Sequence, residues 1–82
     1  MAPRQIKTAR FLQETMRWPH WPWCPVKRGK ELGACFDGEN GSRTVYLVNL
    51  FELADNPELL KSATKLEYNT STEVASDGWE ID

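Results

Sequence analysis

The apolar residues of this chain change their rhythm three times. Over residues 3–17 they follow a helical period: Ile6, Ala9, Leu12 and Met16 fall on one stripe. Lys7, Arg10, Glu14 and Arg17 share the opposite side, with Arg10 and Glu14 one turn apart. Phe11 sits off the stripe, and Arg4 opposes the positive end of the helix dipole. Residues 1–17 therefore read as an amphipathic helix or a basic arm. Pro19 stops the helix by Trp18, because it disfavours helical geometry in the residue before it.

Residues 18–25, Trp-Pro-His-Trp-Pro-Trp-Cys-Pro, place a proline at every third position. That period fits an extended polyproline II arm with three residues per turn. Trp18, Trp21 and Trp23 bring a large apolar area, ~150–250 Å² per covered ring. Two readings stand side by side: the arm wraps the core, or its indoles are anchors for a protein partner or a stacking platform for bases.

Residues 23–51 alternate as an antiparallel meander. Trp23–Arg28 and Glu31–Asp37 flank Gly29-Lys30, and a glycine at the first turn position suits a type II′ hairpin. That register sets Arg28 against Glu31, Val26 against Gly33, Cys24 against Cys35 and Trp23 against Phe36. Pro25 assigns the first strand to an edge or a late entry into the sheet. Asp37–Arg43 reads as a loop, with an Asp-Gly, an Asn-Gly and no apolar residue. Thr44–Phe51 is the longest stretch rich in strand-forming residues and holds neither Pro nor Gly. Val45, Leu47 and Phe51 point one way, and Tyr46, Val48 and Leu50 the other. Apolar on both faces, it is expected at the centre of the sheet.

Residues 52–82 hold shorter pieces. Asn56-Pro57-Glu58 has the chemistry of a helix start, ending near Ser62. Lys65–Tyr68 suits a short strand. Thr70 and Glu73 form a capping-box pattern that opens a short helix, and Gly78 ends it. Trp79–Asp82 alternates as a last strand. Either late strand is a candidate neighbour for 44–51. The expected fold is α+β: one domain with an N-terminal helix, a three- or four-stranded antiparallel sheet and one or two short helical turns.

Composition adds a polarity that the net charge of -2 hides. Residues 1–30 carry seven basic side chains against Glu14 alone, a balance of +6. Residues 31–82 carry three against eleven acidic ones, a balance of -8. The halves attract each other, or they meet partners of opposite sign. No apolar run is long enough for a membrane span and no secretion signal opens the chain, so cytoplasmic residence is expected.

Candidate chemistry is sparse. His20, Cys24 and Cys35 are three soft ligands where a structural zinc site takes four, unless a carboxylate such as Asp37 or a second chain completes it. The facing cysteines are expected to be buried thiols, with a disulfide as the alternative. One histidine and no Gly-x-Ser-x-Gly give no nucleophilic set, and no glycine-rich phosphate loop is present. No cofactor is expected. The function expected is that of a small non-catalytic protein-interaction or regulatory module, self-associating as a homodimer, with Trp18, Trp21 and Trp23 as partner-binding residues. The second reading is a nucleic-acid-binding accessory protein that contacts phosphates through Lys7, Arg10, Arg17, Lys27, Arg28 and Lys30, although a pI near 5.4 opposes it. A small enzyme comes third.

Overall fold

A computed structural model describes residues 2–82. Helix α1 (Pro3–Gln13) is followed by a 3-10 turn at Thr15–Arg17. The strands are β1 (Trp23–Arg28), β2 (Glu31–Asp37), β3 (Arg43–Tyr46), β4 (Lys65–Tyr68) and β5 (Glu80–Ile81). Between them lie α2 (Leu50–Asp55), α3 (Leu59–Ser62) and α4 (Ser71–Ser76). The sheet runs β4-β3-β2-β1-β5, with every neighbouring pair antiparallel. The expected α+β architecture is present, with five strands among the described residues rather than three or four.

The hairpin forms in the expected register, from Trp23 opposite Phe36 to Arg28 opposite Glu31. Gly29 has φ 60° and Lys30 stays out of the left-handed region, as a type II′ turn requires. Arg28 closes the turn with Glu31, Nε to Oε1 at 2.9 Å. β1 is not at the edge. β5 pairs with Val26 and Lys27, and the Asp82 N–H donates to the Pro25 carbonyl at 3.0 Å. Pro25 supplies an acceptor on that side and needs no donor.

Residues 44–51 are not a central strand. Pairing with β2 and β4 runs from Arg43 to Tyr46, and β2 holds the centre of the sheet. The chain then bends: Leu47 N–H donates to Thr64 and Val48 N–H to Tyr46, both at 2.8 Å. Asn49 caps α2, its side chain accepting from Phe51 N–H at 2.9 Å. The alternation nonetheless sorts the side chains correctly up to Leu50. Val45 and Leu47 join one core, Val48 and Leu50 the other. Phe51 joins neither and stands 60% exposed. Asp37–Arg43 shrinks likewise, because Asp37 ends β2 and Arg43 begins β3.

Two cores flank the sheet. Leu12, Trp18, Val26, Val45, Val74 and Trp79 fill the side covered by α1 and α4. Ala34, Leu50 and Leu53, with half-buried Trp23, Leu59 and Leu60, fill the side covered by α2 and α3. α1 buries Thr8, Ala9 and Leu12 and leaves Ile6 exposed, and Met16 in the 3-10 turn is exposed too, so the expected stripe is shifted. Helical geometry ends at Gln13, and Phe11 turns in to pack on the core. Arg10 is not paired with Glu14; Arg17 is, at 3.2 Å.

Residues 18–25 do not form a polyproline arm. Trp23 N–H donates to the His20 carbonyl at 2.9 Å across a tight turn with a cis Trp21–Pro22 peptide. The later helices also shift slightly. Asn56 ends α2, and α3 begins only at Leu59. Thr70 caps α4 through Glu73 N–H as expected, but the Glu73 carboxylate reaches Asn69 N–H rather than that of Thr70. Gly78, at φ 97°, ends the helix.

Trp79, just before β5, is the largest fully buried side chain and enters the first core. Its ring lies over Gly33. A Cβ at Gly33 would stand 2.8 Å from Val45 Cγ1 and 3.0 Å from Trp79 Cζ3. Gly33 is therefore the floor on which the indole rests. Gly33→Ala is expected to cost about 1–3 kcal/mol by overpacking, read as a lowered urea midpoint. An unchanged midpoint would show that the core absorbs the methyl.

Candidate interaction surface

The three indoles of residues 18–23 meet three fates. Trp18 is 4% exposed, with its Nε1–H donating to the Phe11 carbonyl at 3.0 Å and the Arg43 guanidinium over its ring. It belongs to the core. Trp23 is half-buried, with Phe36 and Tyr46 rings 5.0 and 5.6 Å away. Trp21 projects from the turn, 61% exposed, and its Nε1–H donates to Asp37 Oδ2 at 2.9 Å. Asp37 Oδ1 in turn holds Arg43 Nη1 at 3.1 Å, and Arg43 donates through Nη2 to the Leu12 carbonyl at 2.9 Å. A polar chain thus runs from the end of α1, where Arg43 is buried, through half-buried Asp37 to an exposed indole.

Other apolar groups flank that turn. Met16 and Trp21 line a shallow groove with Thr15 and Asp37. His20 meets the exposed Phe51 ring edge-on at 5.8 Å. Beyond it opens a second groove of about 320 Å³ lined by His20, Trp23, Leu50, Leu53, Pro57 and Leu60. The flanking residues of α2 and α3 are acidic: Glu52, Asp55 and Glu58, all exposed. Glu58 pairs with Lys61 at 3.3 Å, while Glu52 and Asp55 have no ion-pair partner among the described residues. Sequence reasoning missed Met16, placed on the apolar stripe of the helix, and Phe51, placed on one face of a central strand. Asn49 followed three residues later by Glu52 is the helix-start signal that would have turned Phe51 outward.

The six cations expected to contact phosphates differ in how they are paired. Arg28 is committed to Glu31 and Asp77 and lies over the Trp79 ring at 4.6 Å. Arg17 pairs with Glu14 and lies over Phe11. Lys7 and Lys27 both line a third groove, with Arg4, Phe11, Glu80 and Ile81 among its other residues. Arg10 and Lys30 line none of these three grooves.

The soft ligands are not gathered. Among the described residues, no group of three or more His, Cys, Asp or Glu side chains is placed to hold a metal ion. Cys24 and Cys35 are cross-strand partners, both buried and both free thiols. Burial pushes each thiol up to about 12 from an ordinary 9.0. Because the folded thiols keep protons that unfolded ones lose, stability falls as pH rises from about 9 toward 12. At pH 8 a thiol reagent is expected to leave the native protein unmodified and to titrate both cysteines in denaturant. Modification of the native protein on the same timescale would contradict this burial.

No family model, curated protein or solved structure matches this chain. Among the described residues, no helix is long and apolar enough to cross a membrane.

Proposed function

We propose that this α+β domain is a non-catalytic protein-interaction module whose recognition surface is centred on Trp21. The observation that carries the reading is an exposed indole hydrogen-bonded to Asp37, which buried Arg43 holds from behind, because a preorganised aromatic anchor loses little entropy on binding. Met16 and Phe51 extend the apolar surface on either side, and the groove beside Phe51 offers a seat for a partner side chain. Glu52 and Asp55 select a partner with basic residues around an apolar anchor. The exposed side of α1, with Ile6 beside Lys7 and Arg10, has that chemistry, so a second copy of this chain is one such partner.

Trp21→Ala is expected to leave the fold intact, with a stability change within about 1 kcal/mol. Affinity capture from the native host then compares the wild-type chain with Trp21→Ala and with the Glu52→Lys, Asp55→Lys pair. The expected result is one protein, carrying a basic patch around an apolar anchor, lost from both variants. Equal recovery by all three chains would overturn the reading. Light scattering at two salt concentrations tests the second copy directly: a dimer that dissociates at high salt and in the Glu52→Lys, Asp55→Lys pair identifies it as the partner.

The nucleic-acid reading keeps one supporting observation, four cations (Lys7, Arg10, Lys27 and Lys30) with no ion-pair partner among the described residues. A mobility shift with mixed DNA and RNA at low salt tests it, and no shift would remove it.

A further inference from the structure

We propose that the groove between α1 and the β1–β5 edge binds an amphiphilic anion, an apolar chain ending in a phosphate or carboxylate. This site lies apart from the Trp21 surface and does not depend on it, although its Lys7 also belongs to the α1 face offered to a second copy. At about 540 Å³ it is the largest groove among those described, and its composition is divided. Phe11 and Ile81, both half-buried, and Pro3 give it apolar walls. Arg4, Lys7 and Lys27 supply cations from two elements far apart in sequence.

Charge within the groove is unequal. Glu80 is its one carboxylate, and Arg4 Nη1 holds Glu80 Oε1 at 3.0 Å. Lys7 and Lys27 have no carboxylate within 4.0 Å among the described residues. Two uncompensated ammonium groups beside an apolar wall match a ligand with one anionic end and one apolar end. A bare phosphate would leave the walls wet. An alcohol of the same length would leave the ammonium groups without a counter-charge. The two halves of the site thus require both halves of the ligand.

Titrations of the ¹⁵N-labelled protein with octyl phosphate, octanoate, inorganic phosphate and 1-octanol test this. Octyl phosphate is expected to give saturable shifts at Lys7, Phe11, Lys27 and Ile81, and to bind roughly tenfold tighter than inorganic phosphate or octanol. The Lys7→Gln, Lys27→Gln double variant is expected to weaken octyl phosphate by roughly tenfold and to leave octanol unchanged. Glu80→Gln is expected to tighten octyl phosphate by about twofold. The octanoate arm tells a carboxylate head from a phosphate head. Sedimentation with phosphatidylcholine vesicles containing phosphatidic acid tells a bilayer source from a free amphiphile, and octyl phosphate must saturate the groove in either case. The proposal is overturned if octyl phosphate gives no saturable shift, binds no tighter than its separate halves, shifts other residues instead, or binds the double variant as it binds the wild type.

Discussion

Trp79→Ala is expected to destabilise the domain by about 3–5 kcal/mol, against the 5–15 kcal/mol typical of a folded domain. Trp79 is fully buried and rests on Gly33 and against Val45. Its Nε1–H donates to the Tyr68 hydroxyl at 3.1 Å, which donates to Asp77. Asp77 also holds Arg28, whose guanidinium covers the indole. Burial, and then the Asp77 hydrogen bond, push the Tyr68 hydroxyl above its ordinary value, so it stays protonated as a donor at neutral pH. Truncation therefore opens a cavity and strips the Tyr68 hydroxyl of a donor. Urea denaturation followed by circular dichroism is expected to show a large drop in midpoint or an unfolded protein. Trp79→Phe, which keeps much of the volume and loses the hydrogen bond, is expected to lose less. A Trp79→Ala midpoint near that of the wild type would refute this account of the core.

Arg43→Ala is expected to cost a comparable amount, about 3–5 kcal/mol, because it breaks a buried ion pair from one side. Arg43 is 4% exposed and donates to the Leu12 carbonyl, the Ser42 carbonyl and Asp37. Its removal orphans the Leu12 carbonyl near the end of α1 and leaves the half-buried Asp37 carboxylate without its cation, with only the Trp21 indole still donating to it. Lysine does not rescue it, since one ammonium cannot span the Leu12 carbonyl and Asp37 as a planar fork does. The expected readout is a lowered urea midpoint in both variants, with a loosened Trp21 indole seen by NMR relaxation. Full stability with Arg43→Lys would show that charge, not geometry, is what the site needs.

The sequence was most legible where the interacting residues are neighbours. The β1–β2 register follows from Gly29 and from alternation on either side of it. Gly78 and the Thr70 cap were readable for the same reason, since each acts within one turn of helix. Legibility failed at Leu47–Asp55, where strand-favouring Val48, Leu50 and Phe51 outweighed the Asn49 cap. Apolar residues at both two- and three-to-four-residue spacing fit a strand and a helix equally well. The candidate surface was only partly legible: Trp21 was singled out, but nothing nearby in sequence separates it from Trp18 or Trp23.

By itself, the sequence determined the α+β class, the hairpin and its register, the positions of β4 and β5 and the opposite signs of the two halves. These follow from turn chemistry, period and composition, which act over a few residues or over the whole chain at once. The tertiary structure alone decided that β2 is central, that Arg43 is buried, that Trp79 joins Trp18 in the core while Trp21 stays outside it, and that Lys7 and Lys27 line one groove. Each of those depends on which distant segment covers which face, and neither propensity nor spacing encodes that choice.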